Sequence, residues 1–328
     1  MMRNSFIVLL LLATLLLAKS EDYKRGADQT YLTYPEWFLV FSPEEYAYYL
    51  KDNPSYEFNY IGHLVQFWSG YAMMRDRIES KGYATNIGYH VMILTIGIST
   101  TVEYTIKFIY GKTVSQLAAL TQSQKRVSEQ DYGAKVAQEY VDFIKNRPWY
   151  EFDFTSKFVG IYTKNSFFGE DFLRKLERKE ALSVEYGVKF LYAKLIGFFT
   201  KVGYDEALPV TQVTLVKGDK QIIEKFPRYD KFKNESLHYA KEGYNFVNIA
   251  GNDANSSILY SLVGEKEKID SMECMLKTPI LSNRSYSRCV NDIEIAKLSD
   301  FLRNENFELT EKFLPVKGTI KLEHIFDF

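Results

Sequence analysis

Cysteine is scarce in this chain: Cys274 and Cys289 are the only two in 328 residues, which excludes a disulfide-dense scaffold and a four-cysteine zinc site. Histidine is scarce as well, and none of the four stands in a His-Glu-x-x-His pattern. An excess of charge of one sign is missing too. The 41 basic and 42 acidic residues leave a net charge of −1, so there is no electrostatic footprint of a nucleic-acid partner. No Gly-x-x-x-x-Gly-Lys-Ser/Thr loop and no Gly-x-Gly-x-x-Gly follows a strand-like run, which removes the common phosphate cradles. Ser99, in Gly97-Ile-Ser-Thr-Thr101, lacks the second glycine of a nucleophile elbow and lies in a helical pattern. Asp253-Ala-Asn-Ser-Ser257 begins like a calcium loop, but Ile258 stands where the turn glycine belongs. No cofactor and no metal is expected, and no internal repeat or low-complexity linker is present.

What is abundant is aromatic: 25 Tyr and 24 Phe contribute to an aromatic content of 16%. The chain is organised around Gly82–Val102, 21 residues without a formal charge. As a helix this run reaches roughly 30 Å, enough to cross a bilayer. Its polar members, Thr85, Asn86, His90, Thr95, Ser99, Thr100 and Thr101, are many for a lipid-facing helix. Two readings stay open, a buried core helix and a membrane-embedded one. Glu103 falls in line with Met92, Ile96 and Ile106, with Lys107 four residues on in the favourable order for an ion pair. His90 lies about 220° around the same helix from Glu103, so one helix cannot join them.

The first residues read as an export signal: Arg3 in a short n-region, the apolar run Phe6–Ala18, then Ala18-Lys-Ser20 with cleavage expected between Ser20 and Glu21. An uncleaved anchor over 1–20 is the alternative. In an exported chain the close pair Cys274 and Cys289 reads as one disulfide.

Along the chain, Asp28–Phe41 is aromatic and β-prone, and Ser42-Pro-Glu-Glu45 carries helix-start signals. Helices are expected to follow to Glu79, through the central run, from Ser128, and over Glu170–Phe199, where Arg174–Glu180 reads as a solvated charge run. After Pro209 the pattern changes to strands over Val210–Val216, Gln221–Phe226, Tyr244–Ile249, Ser257–Val263 and Gly318–Phe328, with helices over Arg228–Lys241 and Asp292–Leu302. The expected fold is α+β. It has an all-helical, aromatic-rich N-terminal unit over 21–205 with the buried or membrane-embedded central helix, then a smaller α+β domain over 206–328.

Tyr31–Tyr46 (Tyr-Leu-Thr-Tyr-Pro-Glu-Trp-Phe-Leu-Val-Phe-Ser-Pro-Glu-Glu-Tyr), Gly88-Tyr-His-Val-Met92 and Glu323–Phe328 resemble a group of uncharacterised bacterial envelope proteins. The resemblance extends over most of the chain and implies a bacterial origin and an N-terminus that anchors, but no activity. Together with the export signal, it places the protein in the cell envelope, periplasmic or membrane-associated. The function expected is non-catalytic, binding or structural, with the membrane as partner and a protein or apolar ligand as a further one. The alternative is an exported enzyme that draws its acid and base from Glu103, His90, His63 and Glu36, the last desolvated among Tyr, Pro and Trp.

Overall fold

A computed structural model describes residues 24–121, 127–147, 149–166, 168–169, 171–203, 210–308 and 310–328; Ser20 and Glu21, the expected cleavage site, lie outside the described residues. The fold is α+β, with six helices followed by two small antiparallel sheets and three further helices among the described residues. The N-terminal helices are α1 (Gln29–Tyr49), α2 (Tyr60–Ser80), α3 (Ile87–Thr121), α4 (Ser128–Ile144), α5 (Phe154–Thr163) and α6 (Phe172–Gly203).

The β-prone stretch at 28–41 and the helix start at Ser42 are both replaced by one helix, α1, which runs through Pro35 and Pro43. Each proline removes a backbone hydrogen bond and costs roughly 3 kcal/mol in a helix interior. Burial offsets that cost: Tyr31, Leu32, Tyr34, Trp37, Phe38 and Phe41 are all out of solvent, so the segment is apolar on nearly every side. Ser42 caps nothing; its hydroxyl bonds the Tyr104 hydroxyl at 2.6 Å.

The uncharged central run begins its helix five residues late, at Ile87. Gly82 takes a positive φ of 65° and turns the chain, and Asn86 then caps α3 by accepting the Tyr89 N–H at 3.0 Å. The Asp28 carboxylate accepts the Asn86 N–H at 2.8 Å. Asp153 caps α5 in the same way, accepting from the Ser156 N–H at 3.0 Å.

By contacts the chain forms two compact units that do not follow chain order. One comprises the described residues of Met1–Trp37, Trp68–Leu94 and Phe199–Phe328, and the other Phe38–Phe67 with Thr95–Phe198. The first unit carries the sheets. One sheet has the order β2 (Lys220–Pro227), β1 (Val210–Lys217), β3 (Asn245–Ile249), β4 (Asn252–Asp253). The other has β6 (Leu276–Pro279), β7 (Tyr286–Glu294), β5 (Ser257–Glu265), β8 (Ile320–Phe326). Lys217 pairs with Lys220 across a two-residue turn whose Gly218 has a φ of 58°, as a tight hairpin requires. Helices α7 (Asp230–Lys241), α8 (Lys266–Asp270) and α9 (Ile295–Asn304) accompany the sheets. Phe226, Phe232, Phe246, Leu262, Leu298 and Leu322 belong to one buried core. The helix expected from Asp292 starts only at Ile295, because Asp292 and Glu294 still pair with Leu259 and Ser257 in β5.

In this unit Gly70 faces Tyr34 so closely that a Cβ there would stand 2.7 Å from the ring. The second unit brings Tyr46, Leu50, Phe58, Tyr60, Leu64 and Tyr104 into one cluster. The Tyr46–Phe58 and Phe58–Tyr60 rings meet edge to face with centroids 5.0 Å apart.

Cys274 and Cys289 form the expected disulfide, which fixes the chain just before the edge strand β6 onto β7. Replacing both by serine should lower the unfolding free energy by about 3 kcal/mol, the entropy of a loop of this length. Urea denaturation measures it. Gly70→Ala should cost about 1–3 kcal/mol by overpacking against Tyr34, again read from the urea midpoint.

Candidate functional site

Glu36 and His90, two of the four acid/base candidates, belong to the sheet-bearing unit. Glu36 accepts a short hydrogen bond from the Tyr89 hydroxyl, and burial raises its carboxyl above the ordinary value. Tyr89 also shares a hydrogen bond with Thr33 at 3.3 Å. His90 points to another partner, its Nδ1 lying 2.9 Å from the Tyr71 hydroxyl. Glu36 and His90 are therefore engaged separately.

Asp327 gathers a set of partners that its place at the end of a strand-like run did not signal. Arg228 Nε donates to it at 3.0 Å, Arg25 Nη1 at 3.3 Å and the Thr211 hydroxyl at 2.5 Å. Arg25 Nη1 also donates to the Phe328 carbonyl. Burial opposes a charge on Asp327, yet Arg228 and then Arg25 hold its carboxyl below the usual range. Nearby, His324 is fully buried and stacks on Trp37 with ring centroids 3.7 Å apart and planes 14° from parallel. Neither of its ring nitrogens has a hydrogen-bond partner, and burial pushes its pKa down to about 4.

Glu103 and His63 belong to the helical unit. Glu103 makes the ion pair read from its spacing, 2.6 Å from Lys107 Nζ. The sequence did not show the third and fourth members: Lys107 lies 3.6 Å from Glu185, and Lys189 lies 3.1 Å from the same carboxylate. Tyr46 donates its hydroxyl to Glu185 at 3.1 Å, and the rings of Tyr46, Tyr60 and Tyr104 surround the Lys107 ammonium at 5.5–5.6 Å. Beside Glu185 and Lys189, a cavity lined by Tyr46, Val136, Tyr140 and Phe154 holds about 10 Å³, the size of one water. His63 Nε2 stands 3.7 Å from Glu45, and its ring stacks on Phe58 at 4.6 Å. No group of three or more His, Cys, Asp or Glu placed to hold a metal occurs among the described residues.

The charge run Arg174–Glu180 differs from its expected solvated state. Arg174, Arg178 and Lys179 are buried, and Lys179 pairs with the equally buried Glu129 at 3.0 Å. Lys179 also donates to the Ile161 carbonyl at 2.9 Å, which ties α6 to the end of α5. These positions fall on the same helical stripe as Leu182 and Tyr186, so period alone could have flagged them had charge not been read as exposure.

The outer surface shows the complement. Along α3, Ile98, Val102 and Ile109 are 60, 54 and 60% exposed, with Ile106 beside them, while Ile96, Thr100 and Tyr104 are buried on the other side. Ile87–Thr113 is the one stretch among the described residues that is long and apolar enough to cross a membrane. The helical unit thus carries ion pairs inside and a row of bare apolar side chains outside.

His324 makes stability pH-dependent. Below about pH 6.5 the unfolded histidine binds a proton that the folded one refuses until about pH 4, so stability present above 6.5 is lost as pH falls through that window. The loss from this residue should approach about 3 kcal/mol. Denaturation at a series of pH values should show a shallower slope for His324→Phe.

No known protein family, curated protein or solved structure matches the chain, so the chemistry of these clusters rests on their own residues.

Proposed function

We propose that this is an exported, membrane-associated protein of the cell envelope with a non-catalytic, binding or structural role, and that the outer face of α3 rests in lipid hydrocarbon. The observation that carries the reading is the exposed row Ile98, Val102, Ile106 and Ile109. In water such a row forfeits roughly 25 cal/mol for each Å² left uncovered, whereas in hydrocarbon it costs nothing. Of the three charges within Ile87–Thr113, Glu103 and Lys107 pair with each other, and Lys112, one residue from the end of the stretch, lies over the Phe108 ring at 5.5 Å. The disulfide fits an oxidising compartment outside the cytoplasm.

The alternative, an exported acid/base enzyme, finds its best support in Glu36, whose carboxyl burial holds above its usual value. All four candidates are nevertheless engaged inside their own unit by Tyr89, Tyr71, Lys107 or Glu45.

A substitution at the bare row separates lipid from water. Ile98→Lys or Ile109→Lys should be neutral within about 0.5 kcal/mol if that face meets water. If it meets lipid, each should cost about 2.5–3.5 kcal/mol and shift the protein towards the soluble fraction. Carbonate extraction of membranes from cells that carry the full chain is the readout. Wild-type protein should stay with the membranes, and its quantitative release would overturn the proposal.

A further inference from the structure

In the helical unit, two arginines of α6 are buried with fewer partners than they can use. Arg174 and Arg178 stand one turn apart, with guanidinium carbons 6.0 and 4.9 Å from the centre of the Tyr56 ring. Arg178 Nη1 donates to Ser55 Oγ at 3.2 Å. Arg174 Nη1 donates to Glu177 Oε2 at 3.1 Å, and the other oxygen of Glu177 is 3.5 Å from Arg178 Nη2. One carboxylate therefore serves two cations. Arg174 Nε, Arg178 Nε and Arg178 Nη2 are sealed from solvent and make no hydrogen bond. The Arg178 side chain is only 3% exposed.

Guanidinium N–H groups held out of water with unmet hydrogen bonds are costly, so three of them on two side chains one turn apart favour a further acceptor. The donors come from both guanidiniums. The planar Glu177 carboxylate already spreads its two oxygens over both guanidiniums; a tetrahedral oxyanion offers acceptors in more than one plane. The surplus of one positive charge gives the sign.

We propose that Arg174 and Arg178, supported by Ser55 and Tyr56, bind a phosphate group, carried either by a free anion or by an anionic phospholipid headgroup. The headgroup source rests on the membrane reading above; the free-anion source does not.

The test uses the full chain purified in a neutral detergent. Its melting temperature is followed against inorganic phosphate at constant ionic strength. In parallel it is followed against micelles doped with phosphatidylglycerol, or with diacylglycerol as the same chains without phosphate. A saturable rise with inorganic phosphate and with phosphatidylglycerol assigns a general phosphate site; a rise with phosphatidylglycerol alone assigns a headgroup site. Arg178→Lys keeps the charge but loses the fork, and it should weaken the apparent affinity at least about tenfold. Arg174→Lys and Ser55→Ala carry the same comparison should Arg178→Lys not fold. No saturable rise from either phosphate source, or an equal rise in the variants, would overturn the proposal. Carbonate release of the wild type would sink the membrane reading while leaving the inorganic-phosphate arm to stand or fall on its own.

Discussion

Lys107 is the constraint on which the helical unit depends. Its ammonium lies between the carboxylates of Glu103 and Glu185 and among three tyrosine rings, with Lys189 completing an alternation of acid and base across α3 and α6. A charge in such surroundings is tolerated only while each member keeps its partners. Loss of one leaves another unpaired, at about 3–5 kcal/mol, although the intact set adds little net stability over apolar packing. What it supplies instead is register. α3 carries apolar residues on most of its circumference, and an apolar stripe alone would let it rotate or slide. The pairing with Glu185 and Lys189 on α6 selects which side faces inwards, and Ile98, Val102 and Ile109 then have only the outside to occupy. The bare row on α3 and the buried salt bridges are thus two consequences of one choice.

The sheet-bearing unit meets the same demand differently. Its central acid, Asp327, sits at the end of β8 and draws Arg228 and Arg25 from segments far apart in the chain. Arg288 and Glu323 add a second buried pair, fork to fork at 2.6 and 2.8 Å. The final strand is therefore held by ions on both sides of His324, which has none. Trp37 covers that imidazole face to face and Phe326 edge to face, so its neutral form is the one the packing accepts.

Most of the helices and five of the eight strands among the described residues were legible because their signals are local; α5, α8, β4, β6 and β7 were not. The apolar period of α2 and α3, the Glu103–Lys107 spacing and the alternation of β1 and β2 across Gly218 all lie within a few residues of each other. What was not legible depends on partners distant in sequence. The residues of α1 are β-formers and prolines, and only surroundings that bury Tyr31 to Phe41 make a helix of them. Strand β6 is four residues long and exists because β7 is there to pair with it. The site residues divide the same way. Glu36 was found from its apolar neighbours, but Tyr89 as its donor was not. Arg174 and Arg178 were read as solvent-facing because charge usually means exposure, and the rule failed on a stripe shared with Leu182.

The excess of tyrosine acquires a physical role from these clusters. In the sheet-bearing unit Tyr31 donates to Asp292 at 2.6 Å and Tyr89 to Glu36; in the helical unit Tyr46 donates to Glu185. Each pairs a carboxylate with a hydroxyl whose ring continues the apolar packing. Tyrosine brings a hydroxyl donor into such a place on a body that is otherwise a large hydrophobe. Phenylalanine would fill the same space and leave the acid one hydrogen bond short, at about 1–3 kcal/mol for a buried group. A chain that buries this many carboxylates among rings needs hydroxyls on those rings. The aromatic content is therefore set in part by the acids that the interior has to keep.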